Sequence, residues 1–256
     1  MSGRLQRALG RRVAAWFSRR RVVLRNARPI ISFTFDDFPA SAYTATAPLF
    51  AQAGGLRATF YTSLGLLGTQ TPTGRIVSRE LLQEVLTGPH EVACHTYDHF
   101  DAFETPFTAY RDSVSRNLSE LRALEPLATF ENHSYPISFP RLRTKRFIGR
   151  RFVSGRAGGQ THNAREADLA YLRSFFIERS REKPEAIREE IDRTVQAEHA
   201  WLLFSTHDVA ENPTEYGCTP ALFERVLQWA IESGAQILSV KEAIRACGLG
   251  NTDRAG

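Results

Sequence analysis

Two short polar motifs in this chain carry residues that together could hydrolyse a substrate at a metal ion. Asp36 and Asp37 follow an apolar, alternating run, Ile30–Phe35, which predicts a buried strand. His95 and His99 are four residues apart, and on a helical turn both imidazoles would leave the same face about 5–6 Å apart. Two imidazoles and one carboxylate can hold a divalent metal that keeps an open position for water. The other carboxylate would remain free to act as a base.

The order of three motifs resembles that of the polysaccharide deacetylase family, which includes the chitooligosaccharide deacetylases with a NodB homology domain (carbohydrate esterase family 4). The family carries T/S-F-D-D, H-S/T-x-x-H and Leu-x-His-type motifs, and the matching segments here are Thr34–Asp37, His95–His99 and Leu203–Asp208. The resemblance covers roughly residues 29–246. It implies an α/β fold, a distorted (β/α) barrel of about seven parallel strands in a single domain.

The resemblance also implies a role for each polar side chain. Asp37, His95 and His99 would hold a divalent metal, most readily Zn²⁺, and Asp36 would take a proton from the attacking water. His207, which follows an apolar strand, would deliver a proton to the leaving nitrogen. The identity of the metal stays open, because imidazole and carboxylate accept several divalent ions.

The third family motif is often R-x-P-Y, and the best match here, Ser134–Ile137, has no arginine. Arg141 and Arg156 are the nearest substitutes, and neither has the expected spacing. A backbone N–H in this motif could still help to hold the oxyanion, since that role needs geometry and not a particular side chain. The candidate substrate and oxyanion residues are Tyr135, Pro136 and Ile137.

Two further positions concern specificity and positioning. The family usually continues its first motif with glycine, whereas Phe38 follows here and is expected to narrow the mouth of the site or to form an apolar wall. Family members usually orient the proton-donating histidine with an acid, and Asp168 and Asp192 are both candidates. Because Phe38 replaces the usual glycine, we expect this protein to differ from the family in substrate preference more than in chemistry.

Strand and helix patterns alternate along the chain after Pro29, which predicts parallel strands joined by helical crossovers. This alternation fits an open doubly wound sheet as well as a barrel, and the family resemblance favours the barrel. Asp36–Asp37, His95 and His207 each follow a predicted strand. Active-site groups of barrels lie at the carboxyl ends of the strands, so the motif positions agree with that fold.

The positive charge is concentrated at the N-terminus. Residues 1–28 contain nine arginines and no acid, and leaving them out takes the net charge from +5 to −4. The apolar residues of this extension recur at helical spacing, at Leu5, Leu9, Val13, Trp16 and Phe17. An arginine-rich amphipathic helix suits an anionic membrane surface, while an organellar transit peptide and a solvated leader are the alternatives. No nucleic acid partner is expected, because no supporting motif occurs.

A second basic segment, residues 141–156, contains seven basic residues and no acid. A solvated helix face would explain it. The alternative is a site that binds phosphate or carboxylate at the rim of the active site through bidentate arginines.

Length and composition predict one catalytic domain at residues 29–248, preceded by the extension and followed by a tail at 249–256. A chain of 256 residues with 42% hydrophobic content can bury a full core, and no apolar run approaches the roughly 18 residues of a membrane span. Three widely spaced cysteines argue against a disulfide framework. These features predict a cytoplasmic protein, peripheral at a membrane if the extension binds there.

The predicted function is that of a metal-dependent hydrolase that removes an N-acetyl group from an amino sugar in an oligosaccharide or glycoconjugate. One alternative is a deacylase or deformylase of a lipid-linked sugar at the membrane surface. A second is a carbohydrate-binding relic that has kept the fold and lost catalysis. The substrate partner is in each case an N-acylated carbohydrate.

Overall fold

A buried strand, Ile30–Phe35, lies at the centre of the sheet in the computed structural model, which describes residues 3–17, 19–137 and 139–249. The strands are β1 (Arg21–Val23), β2 (Ile30–Phe35), β3 (Thr59–Thr62), β4 (Gln70–Thr71), β5 (Gly74–Arg75), β6 (Glu91–Cys94), β7 (Asn132–Ser134), β8 (Ser154–Arg156), β9 (Asn163–Ala164), β10 (Glu166–Asp168), β11 (Phe175–Phe176), β12 (Ala200–Thr206) and β13 (Gln236–Ile237). The helices are α1 (Gly3–Trp16), α2 (Ala40–Gln52), α3 (Arg79–Thr87), α4 (Phe107–Leu124), α5 (Leu142–Arg151), α6 (Glu185–Gln196), α7 (Pro220–Glu232) and α8 (Val240–Ala246). Short 3₁₀ helices at Leu64–Leu66 and Ile177–Ser180 follow β3 and β11.

Seven strands pair in parallel in the order β11-β12-β2-β3-β6-β7-β8. A parallel bridge between Arg156 on β8 and Leu172, just before β11, brings the two ends of this order together. The prediction of a distorted barrel of about seven parallel strands is therefore confirmed. The short strands β9, β10 and β1 extend the sheet beyond β12 in antiparallel fashion, and β13 pairs with the first half of β2.

β2 and β12 are buried at every residue, because both faces of the sheet are covered. Ile31, Phe33 and Phe35 of β2 pack in the larger of two apolar clusters, in which Phe33 contacts phenyl rings from α2, β12 and α7. Ile30 packs in the smaller cluster, together with Trp201 of β12. The alternation of β2 therefore divides its side chains between the two layers of the core.

The register of these two strands positions the first and last of the three sequence motifs. Thr206 of β12 lies opposite Phe35 of β2 in the parallel pairing. The residues that follow, His207 and Asp36, consequently emerge side by side at the carboxyl ends of the strands.

α5 contains most of the second basic segment, and its Lys145 departs from the prediction of a solvated face. Lys145 is completely buried, and its Nζ lies 2.5 Å from the carboxylate of Asp168. The same ammonium group donates to the carbonyls of Ala14 and Phe17 at 2.6 Å and 3.0 Å. A buried charge is tolerated only with such partners, so Lys145 is an internal anchor for the end of α1.

The last part of the N-terminal extension packs on the catalytic body. Leu24 is fully buried, and β1 pairs with β10. The sheet therefore includes residues that precede the predicted domain boundary at residue 29. Arg20 Nη1 donates to three carbonyls at the end of α5, those of Gly149, Phe152 and Val153. A cation at this position satisfies carbonyls that have no partner within the helix. Of the predicted tail at 249–256, only Leu249 lies within the described residues.

Within the described residues, no helix has both the length and the apolar composition needed to cross a bilayer.

Replacement of Lys145 tests the internal anchor. Lys145→Met should lower the free energy of unfolding by about 3–5 kcal/mol, because it leaves the largely buried carboxylate of Asp168 without its cation. Urea unfolding measures the change. The matched control is Lys241→Met, which breaks a partly exposed pair with Glu131 and should cost about 1 kcal/mol or less. Equal losses in the two variants would contradict the anchor.

Candidate metal centre and active site

Asp36 and Asp37 follow β2 at the carboxyl ends of the barrel strands. The Asp36 N–H donates to the Thr206 carbonyl of β12 at 2.9 Å, so this residue continues the strand pairing. Asp37 and the next residue, Phe38, both have left-handed backbones, with φ of 60° and 61°. The chain therefore turns sharply between the two carboxylates, and each reaches different partners.

The expectation that Phe38 narrows the mouth of the site is wrong. Its side chain is fully buried and stacks on Phe60 with the ring centroids 4.5 Å apart. A left-handed backbone costs a non-glycine residue about 1–2 kcal/mol, which accounts for the glycine that the family usually has at this position. Burial of a phenylalanine side chain contributes about 1.5–3 kcal/mol, enough to offset that cost.

His95 and His99 lie on an irregular loop after β6, so the predicted helical turn is also wrong. Thr96 and His99 have φ of 63° and 54°, values that interrupt a helix. Ser113 of α4 holds the loop, because its hydroxyl accepts hydrogen bonds from the N–H groups of Tyr97 and Asp98 at 3.0 Å each. The two imidazole centroids nevertheless lie 5.1 Å apart. The four-residue spacing thus correctly predicted that the two imidazoles lie close together. It did not predict the loop conformation that brings them together.

Asp37, His95 and His99 converge on one point. Asp37 Oδ1 lies 2.8 Å from His99 Nε2 and 3.3 Å from His95 Nε2. One ligand atom from each of the three residues lies within 4.8 Å of the others. Burial would raise the pKa of Asp37, but the two imidazoles hold it well below its usual range. The carboxylate is therefore charged, as a metal ligand must be.

The hydrogen bonds around this cluster leave free the atoms that a cation needs. His95 Nδ1 lies 3.0 Å from the Ser134 carbonyl, which can only accept, so Nδ1 carries the ring proton and Nε2 keeps its lone pair. Asp37 Oδ2 accepts from Thr73 Oγ1 at 2.8 Å, whereas the buried Oδ1 accepts no hydrogen bond from any described residue. Two nitrogens and one oxygen fit Zn²⁺ and related divalent ions.

Arg156 supplies the guanidinium that the third motif lacks. Its Nη2 donates to Asp36 Oδ1 at 2.5 Å and contacts Oδ2 of the same carboxylate, while Nη1 donates to Ser174 Oγ at 2.9 Å. Ser134 of β7 lies opposite Arg156 of β8, so the strand register brings the arginine to the motif. The other candidate, Arg141, is exposed at the start of α5. Of the two, only Arg156 pairs with Asp36.

Asp36 is buried beside the Asp37–His95–His99 cluster. Its oxygens accept hydrogen bonds from the hydroxyls of Ser134 and Ser205 at 3.0 Å and 3.1 Å. Burial would raise the pKa of Asp36, but the Arg156 guanidinium and two nearby imidazoles, including that of His207, lower it to about 2. The carboxylate is therefore charged at neutral pH and is separate from the three-residue cluster.

His207 follows β12 and is held by a main-chain carbonyl. Its Nδ1 lies 3.1 Å from the Tyr216 carbonyl and must carry the proton, so Nε2 is the nitrogen left to exchange one. The loop that carries Tyr216 is closed by Asp208, whose carboxylate accepts from the hydroxyl and N–H of Thr214 at 2.5 Å and 2.8 Å. Glycine is required at Gly217, because a Cβ there would lie 2.1 Å from Asp208 Oδ1.

Neither predicted acid orients His207. Asp168 pairs with Lys145, and Asp192 is exposed on α6. Two other acids interact electrostatically with His207: Asp36, and Glu178 in the 3₁₀ helix after β11. Burial raises the pKa of Glu178 to about 7, against a smaller opposing effect of His207. Its buried Oε2 has no hydrogen-bond partner among the described residues.

Thr73 and Glu178 are site residues that the sequence motifs did not reveal. Glu178 follows the short aromatic strand Phe175–Phe176, and an acid at the carboxyl end of a barrel strand is a usable signal. Thr73 lies between the two short strands of the β4–β5 hairpin, and no sequence pattern connects it with Asp37.

The predicted oxyanion segment, residues 135–137, lies beside these residues. Its members differ in whether they have a backbone N–H that a substrate could bind. The Tyr135 N–H donates to the Arg156 carbonyl at 3.0 Å, and its buried hydroxyl donates to the Ala170 carbonyl at 2.9 Å. Pro136 has no N–H. Ile137 has a left-handed backbone with φ of 63° and a side chain that is 67% exposed. Among these three residues, Ile137 is the one that keeps an N–H for a substrate.

Comparison with known proteins supports the family resemblance and gives the fold. Residues 25–145 match the family model described as polysaccharide deacetylase, which confirms the family resemblance predicted from the motifs. That segment contains Asp36, Asp37, His95 and His99 but ends before Arg156 and His207. No curated protein matches the chain.

Solved structures with the same fold include enzymes and a pseudoenzyme. The chitin deacetylase from the fungal pathogen Colletotrichum lindemuthianum is 20% identical, with 86% of this chain and 90% of that chain covered and a TM-score of 0.58. A family 4 acetyl xylan esterase from Clostridium thermocellum, in complex with a cobalt ion, is 13% identical, with 86% and 93% covered and a TM-score of 0.59. A CE4 family pseudoenzyme from Bacillus anthracis is 12% identical, with 86% and 66% covered and a TM-score of 0.58. At these identities the likeness establishes the fold alone.

We expect Zn²⁺ to stabilise the native protein through the Asp37–His95–His99 cluster. At about 100 times its Kd, the ion should raise the free energy of unfolding of chelator-treated protein by about 2.7 kcal/mol, because it binds the folded state. His99→Ala should remove most of this gain, which urea unfolding with and without Zn²⁺ measures. His162→Ala is the control, since it removes an imidazole that pairs with Glu190 away from the cluster, and it should keep the full gain. Equal gains in wild type and His99→Ala would contradict the cluster.

The environment of Glu178 predicts a pH dependence of stability. A carboxyl whose pKa is about 7 when folded, against 4.5 ordinarily, contributes stability that is complete below pH 4.5 and is lost as the pH rises through 7. Glu178→Gln should therefore make the protein more stable than wild type at pH 8, by an amount of the order of 2 kcal/mol, and leave it similar at pH 4.5.

Unfolding curves at several pH values measure this difference. The control is Glu182→Gln, whose side chain is 91% exposed in the same region and which should leave the profile unchanged. Parallel pH profiles for wild type and Glu178→Gln would show that the carboxyl is already ionised in the folded protein.

Proposed function

We propose that this chain is a metal-dependent hydrolase that removes an N-acetyl group from an amino sugar in an oligosaccharide or glycoconjugate. One observation carries the proposal: an ionised carboxylate, Asp36, lies beside a three-ligand cluster without belonging to it. The fold and family support a carbohydrate deacetylase. The chitin deacetylase and acetyl xylan esterase that share the fold act on sugars according to their names, and we extend that substrate class to this chain.

Asp37, His95 and His99 would hold the metal, and Zn²⁺ is the ion we propose. When bound there, a divalent cation lowers the pKa of a water ligand towards about 7 and polarises the acyl carbonyl. Asp37 is charged and His95 has its Nε2 lone pair free, so two of the ligands need no rearrangement. Thr73 fixes the rotation of the Asp37 carboxylate through Oδ2.

Asp36 is the proposed base. Arg156 and two serine hydroxyls fix its orientation and keep it charged, so it is ready to accept the proton of the attacking water. A carboxylate with a pKa of about 2 is a weak base towards free water, which is why it would act only on water that a cation has acidified.

His207 is the proposed acid for the departing amine. The Tyr216 carbonyl fixes the ring through Nδ1, and Nε2 is available to carry and release the second proton. The backbone N–H of Ile137 is the proposed donor to the oxyanion.

The alternative of a carbohydrate-binding relic is weakened by Arg156. The missing arginine of the third motif was the feature that gave this alternative support, and a guanidinium from the neighbouring strand pairs with Asp36 instead. Acetyl and formyl groups are both compatible with the residues described. The cytoplasmic location remains a prediction.

The decisive experiment measures acyl release from a small panel of N-acetylated and N-formylated sugars, free and phosphate-linked, with and without Zn²⁺ after chelation. Wild type should release acetate from a chitooligosaccharide only with metal. Asp36→Asn should keep the Zn²⁺-dependent stability and lose about 10²–10⁴-fold in turnover, because only the base is removed.

Asp192→Asn is the matched control, since it changes an exposed aspartate on α6 and should leave turnover unaltered. Metal binding without acyl release from any sugar in the panel would overturn the proposal in favour of the relic.

A further inference from the structure

The outward face of α1 combines apolar and basic side chains. The helix rests on the catalytic body through small residues: Ala14 is buried, and a Cβ at Gly10 would lie 2.5 Å from an aromatic ring. Leu9, Arg12 and Trp16, at i, i+3 and i+7, therefore share the opposite side of the helix, and all three are exposed. Of the apolar residues predicted from the sequence, Leu9, Trp16 and Phe17 are exposed, Val13 is partly buried, and the side chain of Leu5 lies outside the described part of the structure.

The exposure of these apolar groups is large. Leu9 is 54% exposed, Trp16 67% and Phe17 60%. The guanidinium of Arg19 lies 4.5 Å from the centroid of the Trp16 ring, so a cation is adjacent to the largest apolar group. Packing among the described residues does not account for the exposure of these apolar side chains on an amphipathic helix.

α5, which contacts the end of α1 through Lys145, carries a further row of exposed arginines. Arg143, Arg146 and Arg150 are exposed at i, i+3 and i+7 of α5, and Lys145 of the same helix binds the carbonyls at the end of α1. The sequence has no acid before Asp36 and none between Glu131 and Glu166. We call Leu9, Arg12, Trp16 and Phe17, together with these three arginines, the α1–α5 surface.

We propose that the α1–α5 surface docks the protein on a bilayer that contains anionic phospholipids. Tryptophan and phenylalanine insert at the level of the headgroups, and arginines bind the phosphates around them. A protein partner fits less well, because the core of a protein interface is depleted in charge, whereas here arginines separate the apolar groups.

The protein-facing side of α1 is connected to the candidate site by a short series of contacts. Gly10 of α1 contacts Phe103 and Phe139, and Phe103 follows the loop that carries His99. The adjacent Ala102 N–H donates to the carbonyl of Pro136, in the oxyanion segment, at 3.4 Å. This inference concerns where the protein binds and not what it cleaves, so it stands or fails independently of the proposed activity.

Vesicle sedimentation of the full chain tests the proposal. The protein should bind phosphatidylcholine vesicles that contain about a third phosphatidylglycerol, and binding should weaken with added salt or in pure phosphatidylcholine. The emission of Trp16 should shift to the blue on binding, since Trp201 is fully buried and Trp229 partly buried before lipid is added. Trp16→Gln with Phe17→Gln should lower the partition coefficient by about tenfold or more.

Leu127→Gln is the matched control, because Leu127 is 91% exposed in the segment between α4 and β7 and should not affect binding. Replacing Arg143, Arg146 and Arg150 with glutamine should remove most of the preference for anionic lipid. Absence of binding, equal binding to neutral vesicles, or equal binding by the Trp16 and Phe17 variant would overturn the proposal. A lipid-free dimer that this variant dissociates would also overturn it, by assigning the surface to a second copy of the chain.

Discussion

Two adjacent buried carboxylates impose the main physical constraint on this structure. Asp36 and Asp37 are 4% and 3% exposed, and two neighbouring negative charges out of water are tolerated only with counter-charges close by. The fold supplies these from separate directions. β8 brings Arg156 to Asp36, and the loop after β6 brings two imidazoles to Asp37. The barrel can therefore be understood as the frame that brings a guanidinium and two imidazoles to the end of β2.

The shared fold does not by itself decide activity, since the solved structures that resemble this one include a pseudoenzyme as well as enzymes. In this chain, the arginine that pairs with Asp36 lies on a different strand from the third motif. The arginine that the family usually carries on the third motif is absent, and Arg156 reaches the same carboxylate from the neighbouring strand at the level of Ser134. A parallel sheet permits this exchange because neighbouring strands run in the same direction. Residues that lie opposite one another near the ends of two such strands are therefore at the same end of the sheet.

The sequence predicted the features that depend on local pattern. β2 begins and ends where the apolar run does, and the segments after β2, β6 and β12 carry the polar motifs that the sequence placed at strand ends. The sequence did not predict the features that depend on contacts between distant parts of the chain. Nothing local could select Arg156 over another arginine, because the choice depends on the register of β7 and β8. The helical turn at His95 and His99 was wrong because spacing alone does not reveal a loop pinned by a distant helix.

The closure of the barrel and the charge state of the site depend on one residue. Arg156 gives its backbone to the bridge with Leu172 that joins the two ends of the parallel order, and its side chain to Asp36. Ser174 reinforces the junction, receiving a hydrogen bond from that guanidinium and donating one to the Ala157 carbonyl. Separation of the seam would thus withdraw the cation from the carboxylate in the same movement. The contact that joins the two ends of the parallel order and the ion pair that holds the Asp36 carboxylate therefore depend on the same residue.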